Sequence, residues 1–100
     1  RFEDFSPYPF VLRDLAVFLP EGKNEKDLLK VIETNAGHFL VNSRLIDVYE
    51  KKLPDGGMKV SYALRLVFQS EEKTLSDEEV NKIMSKIGEE ITENPGWEIR

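Results

Sequence analysis

Four side chains in two neighbouring segments of this sequence have the chemistry of a site for single-stranded nucleic acid. Asp47 and Tyr49 share one side of an alternating stretch, and Ser61 and Arg65 share the polar side of the next one. Aromatic rings stack on bases, carboxylates and hydroxyls hydrogen-bond to base edges, and arginine contacts phosphates. The same residues also fit a simpler interpretation, in which Asp47 and Arg65 form a cross-strand ion pair and Tyr49 covers the sheet. Residue type and spacing leave both interpretations open.

Lysines lie close to these side chains in the sequence. Lys51, Lys52 and Lys59 flank a turn-rich segment and, with Arg65, are candidate phosphate contacts. The same lysines are also typical of a solvated turn that keeps a sheet edge from pairing. The 100 residues carry 14 Lys and Arg against 19 Asp and Glu, a net charge of −5, which argues weakly against a nucleic-acid partner because binding depends on the local field.

Signatures of catalysis and of metal binding are missing from the sequence. It has no cysteine, no phosphate-binding glycine loop, no zinc motif and a single histidine, His38. An acylphosphatase-like enzyme would need an arginine in the loop after the first strand, and Pro20 to Lys23 provides none. We therefore predict no catalytic residue, no metal site and no cofactor in this chain.

Alternating apolar residues predict strands from Phe10 to Leu19, from Phe39 to Glu50 and from Lys59 to Gln69, and a short final strand is predicted from Trp97 to Arg100. Within the second of them, the alternation places Leu45 on the same side as Asp47 and Tyr49. The segment Lys51 to Met58 contains Pro-Asp-Gly-Gly and predicts a hairpin.

Two helices are predicted between these strands. Asn24 can cap the first, which Gly37 ends, and Ser76 with Glu79 forms a capping box for the second, which ends at Asn94-Pro95-Gly96. The order strand, helix, strand, strand, helix, strand predicts an α+β, ferredoxin-like βαββαβ sandwich. Its four-stranded antiparallel sheet carries both helices on one face, so the opposite face is left for solvent or a partner.

We interpret residues 1–100 as one domain, with residues 1–9 as an extended lead-in because Pro7 and Pro9 disfavour helix. Since the chain begins at Arg1 rather than methionine, we expect it to have been excised from a larger protein. The apolar runs are too short to cross a bilayer, which predicts a cytoplasmic protein without membrane contact.

Several motifs closely resemble one known family over nearly the whole chain. They are Tyr8-Pro9, Arg13-Asp14-Leu15-Ala16, Asp47-Val48-Tyr49, the segment from Ser61 to Gln69, the segment from Thr74 to Val80, and Trp97-Glu98-Ile99-Arg100. In this order and spacing they resemble the ferredoxin-fold anticodon-binding domain at the C-terminus of phenylalanyl-tRNA synthetase beta chains.

The resemblance implies a non-catalytic domain that recognises the anticodon of tRNA(Phe), with Asp47, Tyr49, Ser61 and Trp97 as the anticodon-binding residues. It further implies a parent phenylalanine–tRNA ligase that uses ATP and Mg²⁺ and assembles with an alpha chain as α2β2. The isolated domain is expected to be monomeric. A small-molecule regulatory module of the ACT type, or a protein-docking domain, is the alternative that the same element order leaves open.

Overall fold

Four strands and two helices account for most of residues 7–100, the part of the chain that the computed structural model describes. The strands are β1 (Val11–Leu19), β2 (Leu40–Lys52), β3 (Met58–Phe68) and β4 (Glu98–Ile99), and the helices are α1 (Glu25–Ala36) and α2 (Asp77–Glu93). One antiparallel sheet has the order β2-β3-β1-β4. The predicted ferredoxin-like fold is confirmed. Most of the predicted lead-in, residues 1–6, lies outside the described residues.

Both helices begin where their capping residues predict. The Asn24 side chain accepts hydrogen bonds from the backbone N–H groups of Lys26 and Asp27, and the Asp27 carboxylate accepts one from the Asn24 N–H at 2.9 Å. Ser76 Oγ accepts from the Glu79 N–H, and Glu79 Oε1 accepts from the Ser76 N–H, both at 3.1 Å. These capping boxes satisfy backbone donors that a helix leaves unpaired.

Glu79 has a second partner beside its cap. The Lys73 ammonium lies 2.6 Å from Glu79 Oε2. This hydrogen bond, and then those from Ser76, lower the pKa of Glu79 to about 2. Glu79 therefore stays ionised at the positive end of α2 throughout the neutral pH range, where its charge complements the helix dipole.

The core fills the space between the helices and one face of the sheet. Its fully buried side chains include Leu28 and Ile32 from α1, Val80, Ile87 and Ile91 from α2, Val17 and Leu19 from β1, and Leu64, Leu66 and Phe68 from β3. They recur at every second residue in the strands and at helical spacing in α1 and α2. Every residue between these strand positions therefore points to the other face.

A bulge in β2 changes which residues reach that other face. Leu45 pairs with Leu64, but Asp47 pairs with Ala63, so Ile46 is an extra residue between the two pairs. Leu45 packs against the core, whereas Asp47 and Tyr49 lie on the opposite face. The prediction that Leu45 shares a side with Asp47 was wrong, because strict alternation does not allow for an inserted residue.

Candidate nucleic-acid interface

The sheet surface opposite the helices, which we call the open face, is defined by residues paired across the strands. Its members are Leu12, Asp14, Ala16 and Phe18 of β1, Asn42, Arg44, Asp47, Tyr49 and Lys51 of β2, Lys59, Ser61, Ala63, Arg65 and Val67 of β3, and Glu98 and Arg100 at the β4 edge. Within residues 7–100 neither α1 nor α2 covers this surface, because both helices pack on the other face of the sheet.

Two aromatic rings meet over Ser61 at one end of the open face. Ser61 pairs with Tyr49 on β2 and with Phe18 on β1, so the three side chains form one row. The Phe18 and Tyr49 ring centroids are 6.2 Å apart at an interplanar angle of 64°, an edge-to-face contact. Phe18 is 9% exposed and Tyr49 is 47% exposed, so Tyr49 offers the accessible ring surface.

The rings leave the Ser61 hydroxyl buried without a hydrogen bond. Ser61 is 1% exposed, and its Oγ has no partner among residues 7–100. An unsatisfied buried hydroxyl costs about 1–3 kcal/mol. The hydroxyl that the resemblance assigns to a base edge is thus present in the right row but covered.

Replacing Ser61 with alanine should stabilise the domain by about 1 kcal/mol, because the substitution removes the unsatisfied hydroxyl and little volume. Urea unfolding followed by circular dichroism measures this change. Ser85→Ala, at an exposed position of α2, controls for general effects of a serine-to-alanine change. A loss of 1 kcal/mol or more in Ser61→Ala alone would show instead that the hydroxyl is satisfied in the folded domain.

Cations flank the two rings on either side. The Lys51 ammonium lies 5.6 Å from the Phe18 ring centroid, and the Arg100 guanidinium carbon lies 4.9 Å from the Tyr49 ring centroid. Both distances are in the range of cation–π contacts. Contacts thus link four side chains into a continuous row in the order cation, aromatic, aromatic, cation: Lys51, Phe18, Tyr49 and Arg100.

Asp47 lies on the same strand as Tyr49, two residues away and on the same face. It is exposed, it pairs with the small residue Ala63, and no ion pair within residues 7–100 involves it. An exposed carboxylate beside an accessible ring can accept hydrogen bonds from a base that stacks on the ring.

Arg65 lies two rows from Tyr49 on the open face, and its ion-pair partner is not Asp47. Its guanidinium donates to both Asp14 oxygens at 2.9 and 3.1 Å, which lowers the pKa of the Asp14 carboxyl through hydrogen bonding. The alternative of an Asp47–Arg65 ion pair was wrong, because the β2 residue paired with Arg65 is Arg44. The Asp14–Arg65 ion pair is about half exposed, so its net contribution to stability is small.

The remaining predicted residues take separate positions. Lys59 lies on the open face and forms an ion pair with Glu98 at 3.5 Å. Lys52 pairs with Met58, one residue beyond the Lys51–Lys59 pair, so alternation places it on the opposite face. Trp97 is 9% exposed and packs within the core on the helix side of the sheet.

Three aromatic or cationic residues of the open face were not predicted as site residues from the sequence: Phe18, Arg44 and Arg100. Phe18 has a visible signal, since it alternates with the core residues Val17 and Leu19. Arg100 has none, because its position depends on where β4 pairs. Its N–H donates to the Ala16 carbonyl at 2.9 Å, which places it beside the small side chains of the central row.

Acidic residues concentrate on the other side of the molecule. Asp77, Glu78, Glu79, Glu89, Glu90 and Glu93 all belong to α2, which packs on the core face of the sheet. The open face carries Arg44, Lys51, Lys59, Arg65 and Arg100 against Asp14, Asp47 and Glu98. The net charge of −5 is therefore an average over two unlike faces, and the open face has the cationic excess.

Comparison with known proteins gives one consistent result. A family model described as "Ferredoxin-fold anticodon binding domain" matches residues 6–100. The chain is 41% identical over 100 residues to the phenylalanine–tRNA ligase beta subunit of Streptococcus mutans, and 37% identical over 101 residues to that of Carboxydothermus hydrogenoformans. These matches cover 99% and 100% of this chain but 12% of each relative.

Proposed function

Because the chain belongs to the ferredoxin-fold anticodon binding domain family, we propose that its open face recognises the anticodon of tRNA(Phe) for a parent phenylalanine–tRNA ligase. The observation that carries this proposal is the row of Lys51, Phe18, Tyr49 and Arg100, with Asp47 beside it. An accessible ring, an unpaired carboxylate and nearby cations are the groups that bind single-stranded bases.

Each predicted residue receives a role from its position. Tyr49 stacks on a base, and Asp47 accepts hydrogen bonds from a guanine edge in the anticodon. The Ser61 hydroxyl gains its missing partner when the Tyr49 ring shifts during stacking. Trp97 supports the site from the core, since it directly precedes the segment that places Glu98 and Arg100 beside β1.

The cations contribute attraction to phosphates. Lys51 and Lys59 lie at the same end of the open face as Tyr49, and Arg65 lies further along it. Lys52 extends the positive charge to the other face of the hairpin. Since so few phosphates can be neutralised by this surface, binding by the isolated domain is expected to be weak and salt-sensitive.

Chemistry belongs to the parent and not to this domain. We assign aminoacylation, with its ATP and Mg²⁺, to the remainder of the parent assembly, including the alpha chain that the resemblance implies. Among residues 7–100 no three carboxylate or histidine side chains converge on a common point where a metal ion would bind.

Within the same range no helix is long and apolar enough to cross a membrane. The domain contributes discrimination between tRNAs.

Asp47→Ala should weaken binding of the tRNA(Phe) anticodon stem-loop by about 1.5 kcal/mol, the value of one hydrogen bond to a charged group. Titration of the 100-residue chain with fluorescently labelled stem-loop at fixed salt measures it. Substituting inosine for the guanine should remove part of the same energy, and the two changes should not add.

Glu50→Ala is the matched control, because it removes the same charge from β2 three residues further along, on the opposite face. If Asp47→Ala and Glu50→Ala bind alike, the assignment of Asp47 is wrong. A chain that binds no stem-loop, but forms dimers that bind a free amino acid, would support the ACT-like alternative instead.

A further inference from the structure

We propose that Arg100 is the second face of the base-binding site, and that a nucleobase stacks between its guanidinium and the Tyr49 ring. This inference rests on the proposed function and adds a residue that the family resemblance did not assign. It begins from the contact of Arg100 with Tyr49, whose guanidinium carbon lies 4.9 Å from the ring centroid. Guanidinium planes stack on bases as aromatic rings do.

The backbone of Arg100 is hydrogen-bonded to the sheet, whereas its side chain is exposed. The Arg100 N–H donates to the Ala16 carbonyl at 2.9 Å, which extends the pairing of β4 with β1 by one residue. The side chain is exposed and has no ion pair within residues 7–100. The side chain is therefore anchored at its backbone, and among residues 7–100 the Tyr49 ring is what the guanidinium contacts.

The row of side chains next to the aromatic residues leaves space through which the Arg100 side chain reaches Tyr49. Ala16 and Ala63 pair with each other at the centre of the sheet, between Arg100 on one side and Asp47 on the other. Their methyl groups are the smallest side chains of the open face, smaller than the Ser61 hydroxymethyl group. A larger residue at either position would stand between Arg100 and the β2 edge.

The distance of 4.9 Å between the Arg100 guanidinium carbon and the Tyr49 ring centroid is close to the separation that a bound base needs. A base between two planes requires about 7 Å, or two stacking contacts of about 3.5 Å each. The guanidinium must therefore withdraw by about 2 Å, a distance that rotamer changes of an exposed arginine provide. A cation–π contact between exposed groups is weak, so a base can replace it readily.

The other cation of the row cannot serve in this way. Lys51 contacts Phe18, whose ring is 9% exposed and lies against Tyr49, so a base has no room to enter. The Lys51 ammonium is also not planar, so it cannot stack on a base as a guanidinium does. Arg100 is thus the one cation of the row that lies against an accessible ring.

The test compares three substitutions of Arg100 and one control in stem-loop binding. Arg100→Ala should weaken binding about 5- to 10-fold, and Arg100→Lys should weaken it nearly as much, because lysine keeps the charge but lacks the plane. Arg100→Gln, which keeps a planar group without the charge, should retain part of the affinity. Lys82→Ala removes one positive charge from α2 and should change the affinity less than twofold.

An abasic nucleotide identifies the base involved. Placed at each of the three anticodon positions in turn, it should at one position abolish the difference between the wild type and Arg100→Ala. If no position does so, or if Arg100→Lys binds as the wild type does, Arg100 contributes only charge and the inference is wrong. Tighter binding by Arg100→Ala would show that Arg100 competes with the base, which also overturns it.

Tyr49→Ala distinguishes this inference from the function it rests on. If Tyr49→Ala leaves stem-loop binding unchanged, the proposed anticodon site fails and the Arg100 inference fails with it. If Tyr49→Ala weakens binding and the Arg100 variants do not, the site stands and only the second face is refuted.

Discussion

Replacing Trp97 with alanine should lower the free energy of unfolding by about 3–5 kcal/mol. The indole is buried among the core side chains of both helices and the sheet, so its removal leaves a cavity that the surroundings fill only in part. A domain of this size has a total stability of about 5–15 kcal/mol, so the loss is a large fraction of it. Urea unfolding should be followed by circular dichroism, because Trp97 is the single tryptophan and the variant loses its fluorescence.

Trp97→Phe separates support of the core from contact with RNA. Phenylalanine keeps most of the apolar volume, so this variant should remain folded and bind the anticodon stem-loop within about threefold of the wild type. A Trp97→Phe variant with near-normal stability but stem-loop binding weakened tenfold or more would contradict the supporting role. It would favour the direct base contact that the resemblance implies.

Tyr49→Ala should weaken stem-loop binding by up to about 3 kcal/mol, the upper range for loss of one base-stacking ring. The ring is 47% exposed, so the free energy of unfolding should change far less than in Trp97→Ala. Binding at several salt concentrations should show nearly the same salt dependence as the wild type, because no phosphate contact is lost.

Tyr49→Phe is the matched control for stacking. It keeps the ring surface and should bind nearly as the wild type does. If Tyr49→Phe weakens binding as much as Tyr49→Ala, the phenolic hydroxyl and not stacking carries the interaction. If neither variant changes binding, Tyr49 is not part of an RNA site.

The fold was predictable because local signals agreed with one another. Ser76 and Glu79 mark the beginning of α2, and Asn24 with Asp27 marks that of α1, through hydrogen bonds that involve residues three positions apart. Alternation in β3 correctly placed Ser61 and Arg65 on the side away from the core. Such features depend on near neighbours in the chain, which a sequence displays directly.

The site was predictable only in part because it depends on pairing between distant residues. The sequence indicates Tyr49 as an open-face residue, but not that Phe18 and Ser61 share its row. The partner of Arg65 is Asp14, which lies 51 positions away. Arg100 reaches Tyr49 only because the two-residue β4 pairs with β1, and no local sequence pattern predicts that strand pairing.

The bulge at Ile46 acts as a change of phase along β2. Before the bulge, Ser43 and Leu45 lie on the core face of the sheet, and Leu45 packs against the core. After it, Asp47 and Tyr49 fall on the opposite side. Odd-numbered residues such as Ser43 and Leu45 therefore face the core before the bulge, and odd-numbered residues after it lie on the open face. If β2 instead paired regularly through Ile46, Asp47 and Tyr49 would lie on the core side of the sheet, without any change to either side chain.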